Sequence, residues 1–147
     1  MSYFGATDPG QQSGDFLFLE GLTPREWGRI ISFAETRNFA RGDILVAVGD
    51  QDQSFYILTA GSAEIVLGSD VVGQISKGTV FGEIAFFDGL PRSATIRALE
   101  PGSALRVAKS AFDDLAAWEP VLGRRILLDL GRILAIRFRG AQRRQRK

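Results

Sequence analysis

Short apolar segments separated by glycine-containing turns occupy the middle of the chain, from Phe39 to Val107. Each segment is short for a helix, and the Gly-Asp, Gly-Ser-Asp and Glu-Pro-Gly sequences between them favour chain reversal. About eight strands with turns at regular intervals are typical of a closed jelly roll or barrel. The predicted strands lie at residues 39–50 (in two pieces), 55–61, 63–67, 71–75, 94–99 and 104–107.

Helical patterns flank these strands on both sides. Thr23-Pro24-Arg25-Glu26 predicts a helix start, with Thr23 as the N-cap and Glu26 completing a capping box. After the strands, Ser110 is the expected cap of a second helix, and Glu119-Pro120 opens a third that runs to about Phe138. The predicted fold class is therefore α+β and mainly β, an eight-stranded jelly roll or barrel with an N-terminal helix and two C-terminal helices.

The residue types that most enzymes and metal sites require are missing. None of the 147 residues is histidine or cysteine. Disulfides, thiolate metal sites and a Ser-His-Asp triad are therefore excluded. Because no paired-carboxylate motif stands out either, the sequence predicts neither an enzyme nor a metal or cofactor site.

The chain divides into three expected regions. Residues 1–15 are rich in glycine, serine and glutamine and form a loose lead, residues 16–138 form one folded domain, and residues 139–147 form a basic tail. There is no signal-peptide pattern, and no apolar run approaches the ~18 residues of a membrane span. We therefore expect a cytoplasmic protein and no membrane insertion.

The charge is distributed unevenly along the chain. The last eleven residues contain six basic groups and no acidic group, whereas the rest contains 12 basic and 17 acidic residues, a net charge of −5. Such a tail can contact nucleic acid or an acidic membrane surface. It can equally be a solvated helix end whose cations lie at the negative pole of the helix.

The segment from Gly78 to Arg97 combines features of an anion-binding site. Gly82 permits close backbone approach, and the run from Ile84 to Phe87 can form one helical turn whose first N–H groups carry partial positive charge. Arg92 supplies a planar fork of donors suited to a phosphate. The segment therefore predicts an anion site, although Glu83 and Arg92 can instead form an ion pair beside a tight turn.

The motifs F-G-E-I-A (81–85) and P-R-S-A-T (91–95) closely resemble the phosphate-binding cassette of the cyclic-nucleotide-binding domain family. That family includes the bacterial catabolite-activator protein, the regulatory subunit of cAMP-dependent kinase and cyclic-nucleotide-gated channels. Glycines 42, 49, 61, 78 and 82 stand where the family places turn glycines, so the resemblance covers roughly residues 17–138. It implies the jelly-roll topology, with the last helix serving as a lid over the ligand.

The resemblance implies how a cyclic phosphate is bound. Arg92 pairs with the phosphate, and the backbone N–H groups of Ile84 and Ala85 bind its other oxygen. Ser93 donates its hydroxyl or N–H near the phosphate or base, and the Ala94 N–H completes the site.

It also implies how the sugar is bound. Glu83 accepts a hydrogen bond from the ribose 2′-hydroxyl, helped by the backbone at Gly82. Phe81 opens the motif and is included among the candidate ligand-binding residues.

Base recognition is expected from the last helix. Phe138 can stack on the base, or Arg137 or Arg139 can lie over the ring in a cation–π contact, while Phe138 can also be a plain packing residue. Ser93 occupies the place where cAMP-selective kinase subunits carry alanine and cGMP-selective ones carry threonine, and serine also occurs there in bacterial cAMP receptors. We therefore expect cAMP as the ligand, with cGMP as the other candidate.

The expected function is that of a regulatory sensor in which ligand binding moves the C-terminal helix. An effector protein of unknown identity then binds the moved helix. Only about nine residues follow Phe138, so no helix-turn-helix module and no sequence-specific DNA binding are expected. Either a stand-alone sensor or one domain of a larger protein fits these observations.

The C-terminal helix also predicts a homodimer. Its apolar residues form two stripes, and a surface this wide exceeds what one barrel face covers, unless the other helices cover the second stripe. The first stripe contains Leu122, Ile126, Leu130 and Ile133, and the second contains Leu127, Leu134 and Phe138.

Two other protein classes fit the sequence less well than a sensor does. A protein-interaction domain that kept the fold but lost its ligand would be expected to lack Glu83 or Arg92, and both are present. A jelly-roll enzyme of the cupin type typically holds its metal through several histidines, which this chain lacks.

Overall fold

In the computed structural model the backbone is described for residues 17–145 and the side chains as far as Arg143. The predicted lead at residues 1–15 lies outside the described residues, as does the end of the basic tail. The elements in chain order are α1 (Pro24–Phe33), β1 (Glu35–Phe39), β2 (Ile44–Val46), β3 (Phe55–Ala60), β4 (Ala63–Leu67), β5 (Asp70–Ile75), β6 (Val80–Phe81), α2 (Glu83–Asp88), β7 (Thr95–Ala98), β8 (Gly102–Val107), α3 (Lys109–Trp118) and α4 (Pro120–Gln145).

The strands form two antiparallel sheets of four strands each. One sheet has the order β1-β8-β3-β6 and the other has the order β2-β7-β4-β5. A fold of two antiparallel sheets with flanking helices is thus confirmed, while the jelly-roll topology and the lid remain predictions. The expectation of a mainly β chain was wrong, because in the part of the chain that the structure describes the helices together contain more residues than the strands. The sequence did not reveal β6, because its two residues, paired with Tyr56 and Ile57 of β3, are too few to show a periodic pattern.

The helix starts were predicted with mixed success. The capping box of α1 is confirmed: the Thr23 hydroxyl accepts a hydrogen bond from the Glu26 N–H, and the Glu26 carboxylate accepts one from the Thr23 N–H. The expected cap of α3 was wrong, since Ala108 takes the cap position directly after β8. Ser110 therefore lies inside the first turn of that helix.

The β1-β8-β3-β6 sheet is covered on both faces, and its strands alternate between two apolar clusters. Phe55 and Ile57 pack with the helices, whereas Tyr56 and Leu58 between them pack toward the other sheet. Successive side chains of a strand point to opposite faces, which explains this division. The first stripe of α4 lies in the cluster with the helices, and its members Leu122, Ile126, Leu130 and Ile133 are all buried.

The last helix is longer than expected. It continues to Gln145 rather than ending near Phe138, so most of the predicted tail is helical. Its second stripe is not fully covered by the other helices, because 40% of Leu127 and 44% of Phe138 remain exposed. None of the helices in the described part of the chain is both long enough and apolar enough to cross a bilayer.

Candidate ligand-binding site

The site begins at the junction between β6 and α2. Gly82 joins the two elements with a φ of 80°, a left-handed conformation that favours glycine. A Cβ atom at this position would lie 2.9 Å from Arg92 Nη1 and 3.2 Å from the Ser54 carbonyl oxygen. Glycine is therefore required here both by the backbone conformation and by the close approach of the arginine.

The loop that carries Arg92 is held by backbone hydrogen bonds to a neighbouring turn. The Arg92 N–H donates to the Asp50 carbonyl (2.7 Å), and the Gly49 N–H donates to the Arg92 carbonyl (2.8 Å). Gly89 ends α2 with a φ of 70°, and its N–H donates to the Ala85 carbonyl. The backbone of the arginine is therefore fixed without any ligand.

A cavity lies between α2, this loop and two strands. Seven of the nine predicted site residues line it, namely Gly82, Glu83, Ile84, Ala85, Arg92, Ser93 and Ala94. Val46 of β2 and Ile96 of β7 add an apolar wall that the motif did not reveal. Ile96 directly follows the P-R-S-A-T motif, whereas Val46 is far from it in sequence and reaches the site through the pairing of β2 with β7.

The Arg92 side chain is buried, with only 5% of the residue exposed, and is held by three groups. Its Nη1 donates to the Gly82 carbonyl (2.7 Å), and its Nη2 donates to the Ser54 carbonyl (2.6 Å) and to Asp52 Oδ2 (3.2 Å). Its buried Nε has no hydrogen-bond partner in the described part of the chain. Arg92 does not pair with Glu83, so the simple ion-pair alternative is wrong.

Asp52 organises the charges behind Arg92, and the sequence analysis missed it. Its carboxylate accepts hydrogen bonds from the Ser54 backbone and hydroxyl, the Tyr56 hydroxyl (3.0 Å) and Arg106 Nη2 (3.0 Å), as well as from Arg92. Partial burial raises its pKa, but the hydrogen bonds from Ser54, Tyr56 and Arg106 outweigh that effect and hold the pKa well below its usual range. The carboxylate is therefore ionised and balances the buried arginine.

Glu83 is paired with the last helix. It is 3% exposed, and its two carboxylate oxygens accept hydrogen bonds from Arg137 Nη1 at 3.0 and 2.7 Å. Arg137 Nη2 donates to the Val80 carbonyl (2.7 Å). Arg137 therefore connects α4 to the start of α2 here, rather than lying free to cover a base.

Two predicted site residues do not line the cavity. Phe81 points between the sheets and stacks on Tyr56 with ring centroids 4.9 Å apart, because side chains alternate along β6. Phe138 follows Arg137 by one position on α4, so its side chain is rotated by about 100° around the helix axis from that of Arg137, which faces Glu83. Their roles in ligand binding remain predictions, as does that of the exposed Arg139.

Comparison with known proteins agrees with this geometry. The family model described as the cyclic nucleotide-binding domain matches residues 36–117, more than half of the chain. A cAMP-dependent protein kinase regulatory subunit of Hypocrea atroviridis is 37% identical over 97 residues, which cover 66% of this chain and 21% of that protein. The chain thus spans about a fifth of the length of this curated relative.

Solved structures show the same fold. The Thermus thermophilus catabolite activator protein superposes with a TM-score of 0.72 at 25% identity, covering 86% of this chain and 60% of that one. A structure described as Sp-2Cl-cAMPS bound to PKAR CBD2 superposes with a TM-score of 0.59 at 27% identity, covering 77% of this chain and 82% of that one. The chain belongs to the cyclic nucleotide-binding domain family, which confirms the resemblance of its sequence motifs.

Proposed function

We propose that this domain is a regulatory module that binds a cyclic mononucleotide, with cAMP as the preferred ligand. The observation that carries the proposal is a buried, preoriented guanidinium, Arg92, in a cavity that the buried carboxylate of Glu83 also lines. The names of a curated relative and of a superposed structure support cAMP as the ligand class, since one is a cAMP-dependent kinase regulatory subunit and the other holds a cAMP analogue.

The phosphate is bound by Arg92 and the backbone. The Arg92 Nε lacks a partner within the described residues, so a phosphate oxygen would satisfy a buried donor as well as a charge. Ile84, Ala85 and Ala94 line the same cavity, and their N–H groups add neutral donors. Because Asp52 already holds the guanidinium in place, little conformational entropy is lost when the ligand binds.

The ribose is bound by Glu83. Each carboxylate oxygen has two lone pairs, so Glu83 can accept a hydrogen bond from the 2′-hydroxyl while Arg137 remains its partner. A 2′-deoxy ligand would lose this hydrogen bond at a buried acceptor. The site therefore selects ribonucleotides.

Regulation operates through Arg137. This residue lies on α4 and binds Glu83 in the cavity wall, so a ligand that changes the position of Glu83 changes the stability of the contact between α2 and α4. A ligand shifts the position of a helix only as far as its affinity differs between the two positions. An effector protein would then recognise the altered α4.

Calorimetric titration with cAMP, cGMP and a cyclic dinucleotide tests the proposal. We expect one cyclic mononucleotide to bind with micromolar affinity or better, and Arg92→Ala to weaken it more than a hundredfold. Removing a partner from a buried charge costs about 3–5 kcal/mol, which exceeds the free-energy equivalent of that factor.

Arg97→Ala is the matched control, because this arginine is only five positions away but pairs with Glu64 on the outer surface. It should bind like the unaltered protein. Equal binding by Arg92→Ala, or no binding of any nucleotide by folded protein free of bound nucleotide, would contradict the proposal.

A further inference from the structure

A second cleft opens between the two sheets, away from the cavity of Arg92. β1 and β2 are edge strands of different sheets, and no ladder joins them in the described part of the chain. The cleft has a volume of about 280 Å³, compared with about 40 Å³ for the cavity of Arg92. A volume of this order suits a small organic molecule.

The inner part of the cleft is aromatic and apolar. Its floor includes Tyr56 and Phe81, whose rings stack with an interplanar angle of 5°, and Phe39 of β1 adds a third aromatic wall. At the rim, Ile44 leaves 53% of its surface exposed although it is a large aliphatic residue. This surface is complementary to a flat, apolar ring system.

The rim also contains a cationic side chain, Arg37, that can form an ion pair with a ligand. Arg37 shares one face of β1 with Phe39, since the two are separated by two positions, and it lines the cleft. Its ion pair with Glu35 is long, at 3.6 Å, and both side chains are more than half exposed, so the pair contributes little and is readily exchanged.

The acidic groups nearby have other partners. Glu35 accepts a hydrogen bond from Arg106 at 2.6 Å, and Asp43, also in the cleft wall, accepts one from the Ala40 N–H at 2.8 Å. Arg37 is therefore the group at this rim that favours an anion.

We propose that the cleft between β1 and β2 is a second small-molecule site, which binds a planar aromatic carboxylate or sulfonate. The ring lies against the floor of Tyr56 and Phe81, and the anionic group pairs with Arg37. Phe81 is the only residue of the cassette motifs in the cleft lining among the described residues, and Arg92 does not line it.

The position of the floor connects this site to the first one. The Tyr56 hydroxyl donates to Asp52, which binds Arg92, and Phe81 directly precedes Gly82, whose carbonyl accepts from Arg92. A ring that displaces Tyr56 or Phe81 therefore alters the support of Arg92. This coupling, unlike the second site itself, rests on the proposed nucleotide-binding function, and it acts in both directions.

Naphthalene-1-sulfonate is the probe for the second site, titrated into the ¹⁵N-labelled full chain and followed by backbone amide shifts. We expect saturable shifts centred on residues 37–45, 56 and 81. Arg37→Gln should weaken binding at least fivefold, whereas Arg25→Gln, which removes the same charge from an exposed position on α1, should not. Shifts centred on the exposed Trp118 and Val121, or no saturable shifts, would overturn the proposal.

Two further measurements separate the two sites. Protein saturated with cAMP should still show the probe shifts at residues 37–45, whereas probe shifts centred on residues 82–85 and 92–94 would place the probe in the nucleotide cavity and overturn the proposal. Saturating probe should change the affinity of the unaltered protein for cAMP at least threefold. If cAMP binds equally well with and without the probe, the coupling is wrong.

Discussion

The two charged residues of the cassette each have a protein partner in the structure, and those partners lie far away in sequence. Arg92 is held by Asp52, 40 positions earlier, and Glu83 by Arg137, 54 positions later. A buried charge is tolerated when it is paired and hydrogen-bonded. The geometry of the site is therefore set by the partners as much as by the motif.

Asp52 should make the unfolding free energy of the domain decrease at acidic pH. Its pKa is lowered by folding from an ordinary value of about 4. Its contribution to stability is then complete above about pH 4 and is lost as the pH falls toward the folded-state pKa. We expect Asp52→Asn to lose less unfolding free energy than the unaltered protein between pH 5 and pH 3, as measured by urea denaturation.

Asp70→Asn is the control for that measurement, because Asp70 is an exposed carboxylate in the β5 strand. It should follow the unaltered protein at every pH. Parallel curves for Asp52→Asn and the unaltered protein would show that the hydrogen bonds to Asp52 contribute no pH-dependent stability.

At the scale of elements, α2 is connected to α4 by the hydrogen-bonded pair of Glu83 and Arg137. α2 is only six residues long and is bounded by glycines at both ends, so it depends on its neighbours for support. The pair of Glu83 and Arg137, with 3% and 7% of their surfaces exposed, provides such support. Any movement of α4 that separates the pair removes two charge-assisted hydrogen bonds from the buried Glu83 carboxylate.

A double-mutant cycle measures this connection. Arg137→Met should lower the unfolding free energy by about 3–5 kcal/mol, because it removes the charge-assisted hydrogen bonds of Arg137 to the buried Glu83 carboxylate. Glu83→Gln combined with Arg137→Met should cost clearly less than the sum of the single changes. Chemical denaturation of the four proteins gives the coupling energy.

Arg139→Met is the matched control, since it removes an exposed arginine two positions away on the same helix. It should leave stability nearly unchanged. Additive effects of the two changes at 83 and 137 would mean that the hydrogen-bonded pair is not an energetic link between the helices.

At the scale of the whole molecule, α4 has an apolar face that the described part of the chain does not fully cover. Leu127 and Phe138 are 40% and 44% exposed. Gly131 lies between them with open space around the position of a Cβ atom, although a mid-helix glycine costs about 1 kcal/mol relative to alanine. A partner helix that approaches closely at Gly131 would account for both features.

We therefore expect a homodimer through α4. Sedimentation equilibrium should give twice the monomer mass. The protein concentration should be on the order of tens of micromolar, which suits domains that associate weakly. Leu127→Glu should give the monomer mass, because it places a charge in the proposed contact.

Val121→Glu serves as the control for the dimer. Val121 is 82% exposed at the start of α4 and lies on a different side of the helix from Leu127, so this variant should remain a dimer. If the unaltered protein is a monomer at these concentrations, the predicted homodimer is wrong.

The sequence by itself determined the features that depend on near neighbours in the chain. Glycine turns and short apolar runs predicted β3, β4, β5, β7 and β8, and Thr23 and Glu26 predicted the start of α1. These elements were predicted correctly because turns and caps are set by local backbone preferences. Seven residues of the cassette motif line the cavity, and their binding of a ligand stays a prediction.

The tertiary structure alone decided the features that depend on distant pairing. Asp52 carries no local sign that distinguishes it from Asp50, and Arg137 is one of several arginines on α4. Val46 becomes a neighbour of the site only because β2 pairs with β7, and Phe81 points away from the site because side chains alternate along the two-residue strand β6. The physical reason is the same in each case, because side chains far apart in sequence meet only after the sheets and helices pack. Once buried, a charged side chain requires a hydrogen-bonded partner of opposite charge.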